Sequence, residues 1–254
     1  MTHHLIFLFV SHRRSIAGDN RPCSIRCFSQ ELMSLLPFGS YPNPLGLTDE
    51  DRAGFHPVVE LGDDYYVQDF TRPTRRQLAT EEEREQNLPQ IFSSFSVGRF
   101  DEDRQGMYTS QLFSAARTIH LGIDLEGPTG TPVYAFDDGI VDSVGYNEPL
   151  GDYGHVVIVK HRLKGQHDVF ALYGHLDASV LRLQVGDRVT QGQQLAVMGD
   201  LKDNGGWFMP HVHFQVAYER PSVPHDMPGT AEPARRDEAL ATYMDPRYIL
   251  GPLY

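Results

Sequence analysis

Cysteine is almost missing from this sequence: Cys23 and Cys27 are the whole supply. Two thiols cannot make the disulfide framework of a small secreted domain, and this pair reads as free thiols outside the core. Basic residues are short as well, 22 Lys and Arg against 34 Asp and Glu, which leaves a formal net charge of -12. That balance disfavours nucleic acid and anionic membranes as partners, because phosphate binding needs concentrated Lys and Arg. No apolar run approaches the roughly 18 residues of a membrane helix, so no membrane span is expected. The run LIFLFV (residues 5–10) is short for a signal segment, has no basic lead, and is followed by His12, Arg13 and Arg14 instead of a small-residue cleavage site. The expectation is a cytoplasmic chain, with Met33 a candidate true start; the cell envelope would require another export route. Internal repeats and low-complexity tracts are absent too.

What remains is the composition of a globular protein. Hydrophobic residues make up 40% and aromatics 11% of 254 residues, enough for one ordinary domain with appendages. From about Met107 the chain breaks into short β-branched or aromatic runs such as TPVYAF, GIVDSVGY, HVVIVKH, DVFALYGHL and HVHFQVAY, divided by Gly, Asp or Asn. This spacing predicts a mainly β fold, a compact antiparallel sandwich or barrel. No long helix intervenes, which argues against a parallel α/β sheet. The flanks are less regular. Residues 58–71 read as strand, turn and strand, 79–88 as a short helix opened by a threonine before glutamates, and 91–100 as a strand. After Tyr218 prolines interrupt the pattern, and 235–244 read as a short helix. Three segments are expected: an N-terminal extension over 1–105 that wraps the core or covers part of the site, a β domain over 106–220, and a tail over 221–254.

Two histidine clusters carry the chemistry. His120 and Asp124 stand in HLGID, and His211 and His213 in PHVHFQV about ninety residues later. In the second, Val212, Phe214 and Val216 alternate with His211, His213 and Gln215, so a strand would put the histidines on one face. In a straight strand, His120 and Asp124 would lie about 13 Å apart, too far to share an ion. Gly122 between them is placed to supply a bulge or bend. Alone, HxH and HxxxD are common accidents. Together they offer three donors to one divalent cation, and a zinc ion held by three protein groups keeps a fourth position for water. His175 in LYGHL lies between the clusters and is available for acid–base work. His155 and His161 are expected to pack or to face solvent.

These residues, in this order, resemble the lysostaphin-type (LytM-like) zinc endopeptidases, metallopeptidase family twenty-three. The likeness extends through GTPVYAFDDGIVDSVGY, GHVVIVKH and LYGHLDASVLRLQVGDRVTQGQQLAVMGD and covers residues 118–216. It implies that His120, Asp124 and His213 ligate zinc and that His175 and His211 flank a metal-bound water, handling protons and steadying the oxyanion. It also implies a β fold related to lipoyl and biotinyl domains, and a peptide or peptidoglycan substrate. Gln215 departs from the glutamate frequent after HF in that family without removing a ligand. The loop GDLKDNGGWFMPHVHF resembles LytM-like domains joined to phosphotransferase and aminotransferase domains in large intracellular proteins, which offers an idle or regulatory domain as the alternative. A lipoyl-type carrier would need a modifiable lysine in a hairpin after GDRVTQGQQL; AVMGDL follows instead.

Overall fold

Short β-branched and aromatic runs, each stopped by Gly, Asp or Asn, form strands because they cannot sustain a helix and can cover a pleated surface. The computed structural model describes residues 37–72, 78–87, 94–108, 111–113 and 116–254. Cys23, Cys27, Met33 and the run 5–10 lie outside the described residues. The strands are β1 (Tyr65–Val67), β2 (Phe95–Gly98), β3 (Ile119–His120), β4 (Ile123–Glu126), β5 (Pro132–Tyr134), β6 (Gly139–Asn147), β7 (Gly154–Leu163), β8 (His167–Leu176), β9 (Arg188–Val189), β10 (Gln194–Val197), β11 (His211–Ala217), β12 (Thr230–Ala231) and β13 (Tyr243–Met244). The α-helices are short: α1 (Asp49–Ala53), α2 (Glu81–Gln86), α3 (Arg236–Thr242) and α4 (Arg247–Leu250). None of the described helices is long and apolar enough to cross a membrane.

The mainly β expectation holds, with a larger and more mixed sheet than a plain antiparallel sandwich. The main sheet runs β1-β2-β4-β11-β8-β7-β6-β9, and β13 pairs the far end of β11. Its β1–β2 pair is parallel. β5 with β10 and β3 with β12 make two small separate ladders. Only one strand emerges from residues 58–71. Val58 and Val59 are buried in the core without forming a strand, and β1 is three residues with two exposed side chains, so it has little alternation to read.

The core sits against one face of the long strands β7, β8 and β11. Val157, Val159, Ala171, Tyr173, Val212, Phe214 and Val216 are all buried there. The opposite face of the same strands is covered as well, by a smaller cluster of Val156, Ile158, Leu172, Tyr153 and Met227. The helix expected over 79–88 is α2. Thr80 opens it with a capping box, its hydroxyl accepting from the Glu83 N–H and the Glu83 carboxylate accepting from the Thr80 N–H. Asn87, in the left-handed region at φ 48°, ends it. The tail folds back on the core, where Tyr248 and Ile249 are buried and the Tyr248 hydroxyl donates to the Tyr41 carbonyl at 2.7 Å.

Candidate active site

β11 is the backbone of the site. Its alternation is realised as the sequence predicts: Val212, Phe214 and Val216 enter the core, while His211, His213 and Gln215 take the other face. β4 lies antiparallel beside it with Asp124 opposite His213 and Glu126 opposite His211, so the carboxylate and the histidines share a face. HLGID is split into β3 and β4 by a break at Leu121 and Gly122. The break brings His120 Nε2 to 3.2 Å from Asp124 Oδ1, as the bend at Gly122 predicts. Gly122 serves by its small size rather than by unusual torsion. A Cβ there would stand 2.6 Å from two ring atoms of His213.

His175 reaches the site by an irregularity. Between the pairs His155↔Leu176 and Val157↔Tyr173, β8 holds one more residue than β7, which is a β-bulge. His175 takes φ 63° there, a left-handed conformation that non-glycine residues adopt only at a cost. Its N–H donates to the Tyr153 carbonyl and its carbonyl accepts from Gly199 N–H, which hold it in place. Its ring centroid lies 4.3 Å from that of His211.

Hydrogen bonds settle which nitrogen of each ring is free, because a carbonyl only accepts. His120 donates from Nδ1 to the Arg99 carbonyl at 2.8 Å, leaving Nε2 bare. His211 donates from Nδ1 to the Met209 carbonyl at 2.8 Å, and His175 from Nδ1 to the Asn204 carbonyl at 3.0 Å. For His213 the order is reversed. The Gln215 amide nitrogen donates to the Pro228 carbonyl, so its Oε1 accepts from His213 Nε2 at 2.9 Å and Nδ1 is the free atom. His120 Nε2, His213 Nδ1 and Asp124 Oδ1 then lie 3.1–3.2 Å from one another. In a tetrahedral site with bonds of about 2.1 Å, donor pairs stand about 3.4 Å apart, so this triangle fits a small divalent ion with little movement. All three residues are buried, and they form a group able to hold a metal among the described residues.

Electrostatics favour that use. Burial, and next the charge of Arg104, lower His120 to about 4, so its ring is neutral and can offer a lone pair. Burial alone would raise Asp124, but Arg104, permanently charged and donating to Oδ2, helps hold its carboxyl well below the usual range. His175 is pushed well below its ordinary value by burial and by His211 and His213. It is a neutral ring at working pH rather than one poised near its titration point.

A cavity of about 150 Å³ opens beside the cluster, lined among others by Tyr153, His175, Trp207 and His211. Tyr153 and Trp207 lie on the site side. Tyr173 faces the core, packing on Phe214 with centroids 5.2 Å apart. Phe70, Met107, Tyr108 and Phe113 join Trp207 in a buried cluster that walls this cavity, so part of the upstream chain does border the site. His161 is fully buried against Phe136 (4.1 Å), and His155 stacks on Tyr146 (4.6 Å); neither lines the cavity.

Sequence patterns miss a second group. Arg104 donates to Asp124 Oδ2 at 2.7 Å and to Glu102 at 3.0 Å, and Glu102 also accepts from Arg99 and from the Phe70 N–H. In the sequence this is only the charged stretch GRFDEDR. The one signal available was five charged residues within positions 99–104, outside any helical period.

Comparison with known proteins bears directly on the site. Peptidase family M23 matches residues 118–224, a stretch that contains all five expected site residues. Over those residues the chain is similar to peptidase family M23. It is 32% identical over 111 residues to the uncharacterized lipoprotein YgeR of Escherichia coli K12, covering 44% of this chain and 39% of that protein. It is 32% identical over 96 residues to the peptidoglycan DD-endopeptidase ShyC of Vibrio cholerae, covering 38% and 19%. Among solved structures, the catalytic domain of the prophage-encoded M23 protein EnpA from Enterococcus faecalis aligns at 29% identity and TM-score 0.37, covering 56% of this chain and 95% of that one. The chain thus spans about two fifths or less of the length of these two curated relatives. The cytoplasmic location expected from the run 5–10 is overturned. Relatives of the M23 domain named as a lipoprotein and as a peptidoglycan endopeptidase point to the cell envelope. The reading failed because it rested on a short terminal segment and not on the domain.

Proposed function

We propose that this chain is a zinc-dependent peptidase of the cell envelope that hydrolyses peptide bonds in peptidoglycan. One observation carries the reading: three buried donors, His120 Nε2, His213 Nδ1 and Asp124 Oδ1, each turned by its own hydrogen bonds, converge to 3.1–3.2 Å beside a cavity. Two imidazoles and one carboxylate are a donor set suited to a catalytic zinc with an open position. When bound, such an ion supplies Lewis-acid polarisation of a carbonyl and lowers the pKa of water.

The chain's own residues do the rest. His211 has its Nδ1 proton committed to Met209, so Nε2, 4.0 Å from Asp124 Oδ1, is the atom that can take a proton at the site. His175 is arranged alike, with Nδ1 tied to Asn204 and Nε2 bare, but its lowered basicity leaves His211 as the proposed proton carrier and His175 as a neutral ring beside it. A ring protonated at Nε2 becomes a donor for the negative charge that develops on the scissile carbonyl oxygen. Gln215 and Arg99 orient the ligand rings, and the aromatic wall of Tyr108, Phe113 and Trp207 limits access of bulk water. The family match and a relative named a peptidoglycan DD-endopeptidase support the substrate class. The idle-domain alternative is not favoured, since all five site residues are present within the matched region.

The test is purified chain loaded with one equivalent of zinc and offered peptidoglycan and defined peptides side by side. Metal-dependent release of new amino termini is expected. Tight metal binding with no cleavage of any cross-linked muropeptide would reject the substrate assignment.

A further inference from the structure

We propose that Arg104 is a positioning residue that confines Asp124 to ligation through one oxygen, Oδ1. The proposal rests on the metal-site reading above. An unrestrained carboxylate can offer both oxygens to a cation. Here they are divided. Oδ2 accepts from Arg104 Nη1 at 2.7 Å, a charge-assisted bond, while Oδ1 faces His213 Nδ1 at 3.1 Å and His120 Nε2 at 3.2 Å.

Arg104 cannot easily release its hold. It is buried, always charged, and lies over the Phe70 ring at 4.8 Å. Its Nε is anchored at 3.0 Å by Glu102, which is itself fully buried and fixed by Arg99 Nε and the Phe70 N–H. Glu102 offsets the arginine charge, so Asp124 keeps its negative charge for the cation. Bare backbone closes the arrangement: a Cβ on Gly98 would lie 2.7 Å from Arg104 Nη2 and 3.0 Å from Asp124 Oδ2. The same loop supplies the Arg99 carbonyl that turns His120. Residues 98–104 therefore aim two of the three donors, yet they lie upstream of the family-matched residues 118–224.

Arg104→Lys keeps the charge and loses the planar fork. Zinc affinity is measured by chelator competition, and coordination by the visible spectrum of the cobalt-loaded protein. Thermal melting and far-ultraviolet circular dichroism report folding. The expected result is a folded R104K variant with zinc bound about 10–100-fold more weakly and an altered cobalt spectrum, as Asp124 is freed to use both oxygens. Should R104K not fold, Glu102→Gln loosens the same anchor and is expected to shift both readouts in the same direction by less. A folded variant with wild-type zinc affinity and cobalt spectrum would leave Arg104 a structural ion pair only and overturn the proposal. Wild-type protein that takes up no metal would instead bring down the metal-site reading itself, and this proposal with it.

Discussion

The two faces of β11 are equally hidden from water but are held by different forces. On one, Val212, Phe214 and Val216 join a large apolar core where contacts are many and non-directional. On the other, His211, His213 and Gln215 are each fixed by one or two hydrogen bonds to a named atom. The apolar face can lose an atom and relax around the gap. The histidine face cannot, because a ring turned by a few tens of degrees aims its nitrogen away from its partners. Stability and chemistry are thus separated by a single residue's step along one strand.

The strongest way to break that separation is on the histidine face. His213→Ala is expected to abolish metal binding and hydrolysis while leaving a folded protein, checked by elemental analysis beside a melting curve. An unfolded variant would show that this face carries stability as well. His211→Ala should keep the metal and lower turnover by about 10²–10⁴-fold; unchanged turnover would remove His211 from proton transfer. The apolar face should give the converse. Phe214→Ala is expected to cost about 3–5 kcal/mol in urea unfolding, with the folded fraction still binding metal. The smallest effect sharpens the comparison, because the apolar side also holds a histidine. His161 is lowered to about 4 by burial against Phe136. The unfolded chain binds that proton near pH 6.5 and the folded chain does not, so stability present above pH 6.5 is lost as pH falls towards 4. His161→Gln should flatten the acid limb of the melting temperature against pH, and an unaltered limb would contradict the buried neutral ring.

The separation also explains what was readable beforehand. Period two in PHVHFQV revealed β11 and its two faces, and Gly122 marked the bend in HLGID, because alternation and a missing side chain are local properties. LYGHL gave no hint that His175 sits on a bulge at φ 63°, since that conformation is imposed by Tyr153 and Gly199 from elsewhere in the chain. The Arg99–Glu102–Arg104 group was invisible for a related reason: ion pairs between a loop and a strand follow no period. β1 is the second strand read within 58–71, but its parallel pairing with β2 was not read, since two of its three residues are exposed and carry no alternation to place it. The threonine before the glutamates placed α2 correctly, and its shorter extent follows from Asn87 turning left-handed.

Main-chain carbonyls of Arg99, Met209 and Asn204 orient three of the four rings at the site. A peptide oxygen survives replacement of the side chain, so these acceptors are sheltered from ordinary point mutation, except that Asn204 also fixes its own loop through side-chain bonds to Gly206 and Trp207. His213 has no such shelter, because its partner is the side chain of Gln215. Point mutations that mis-set a ring tautomer without touching a histidine should therefore gather at one codon, the one for residue 215.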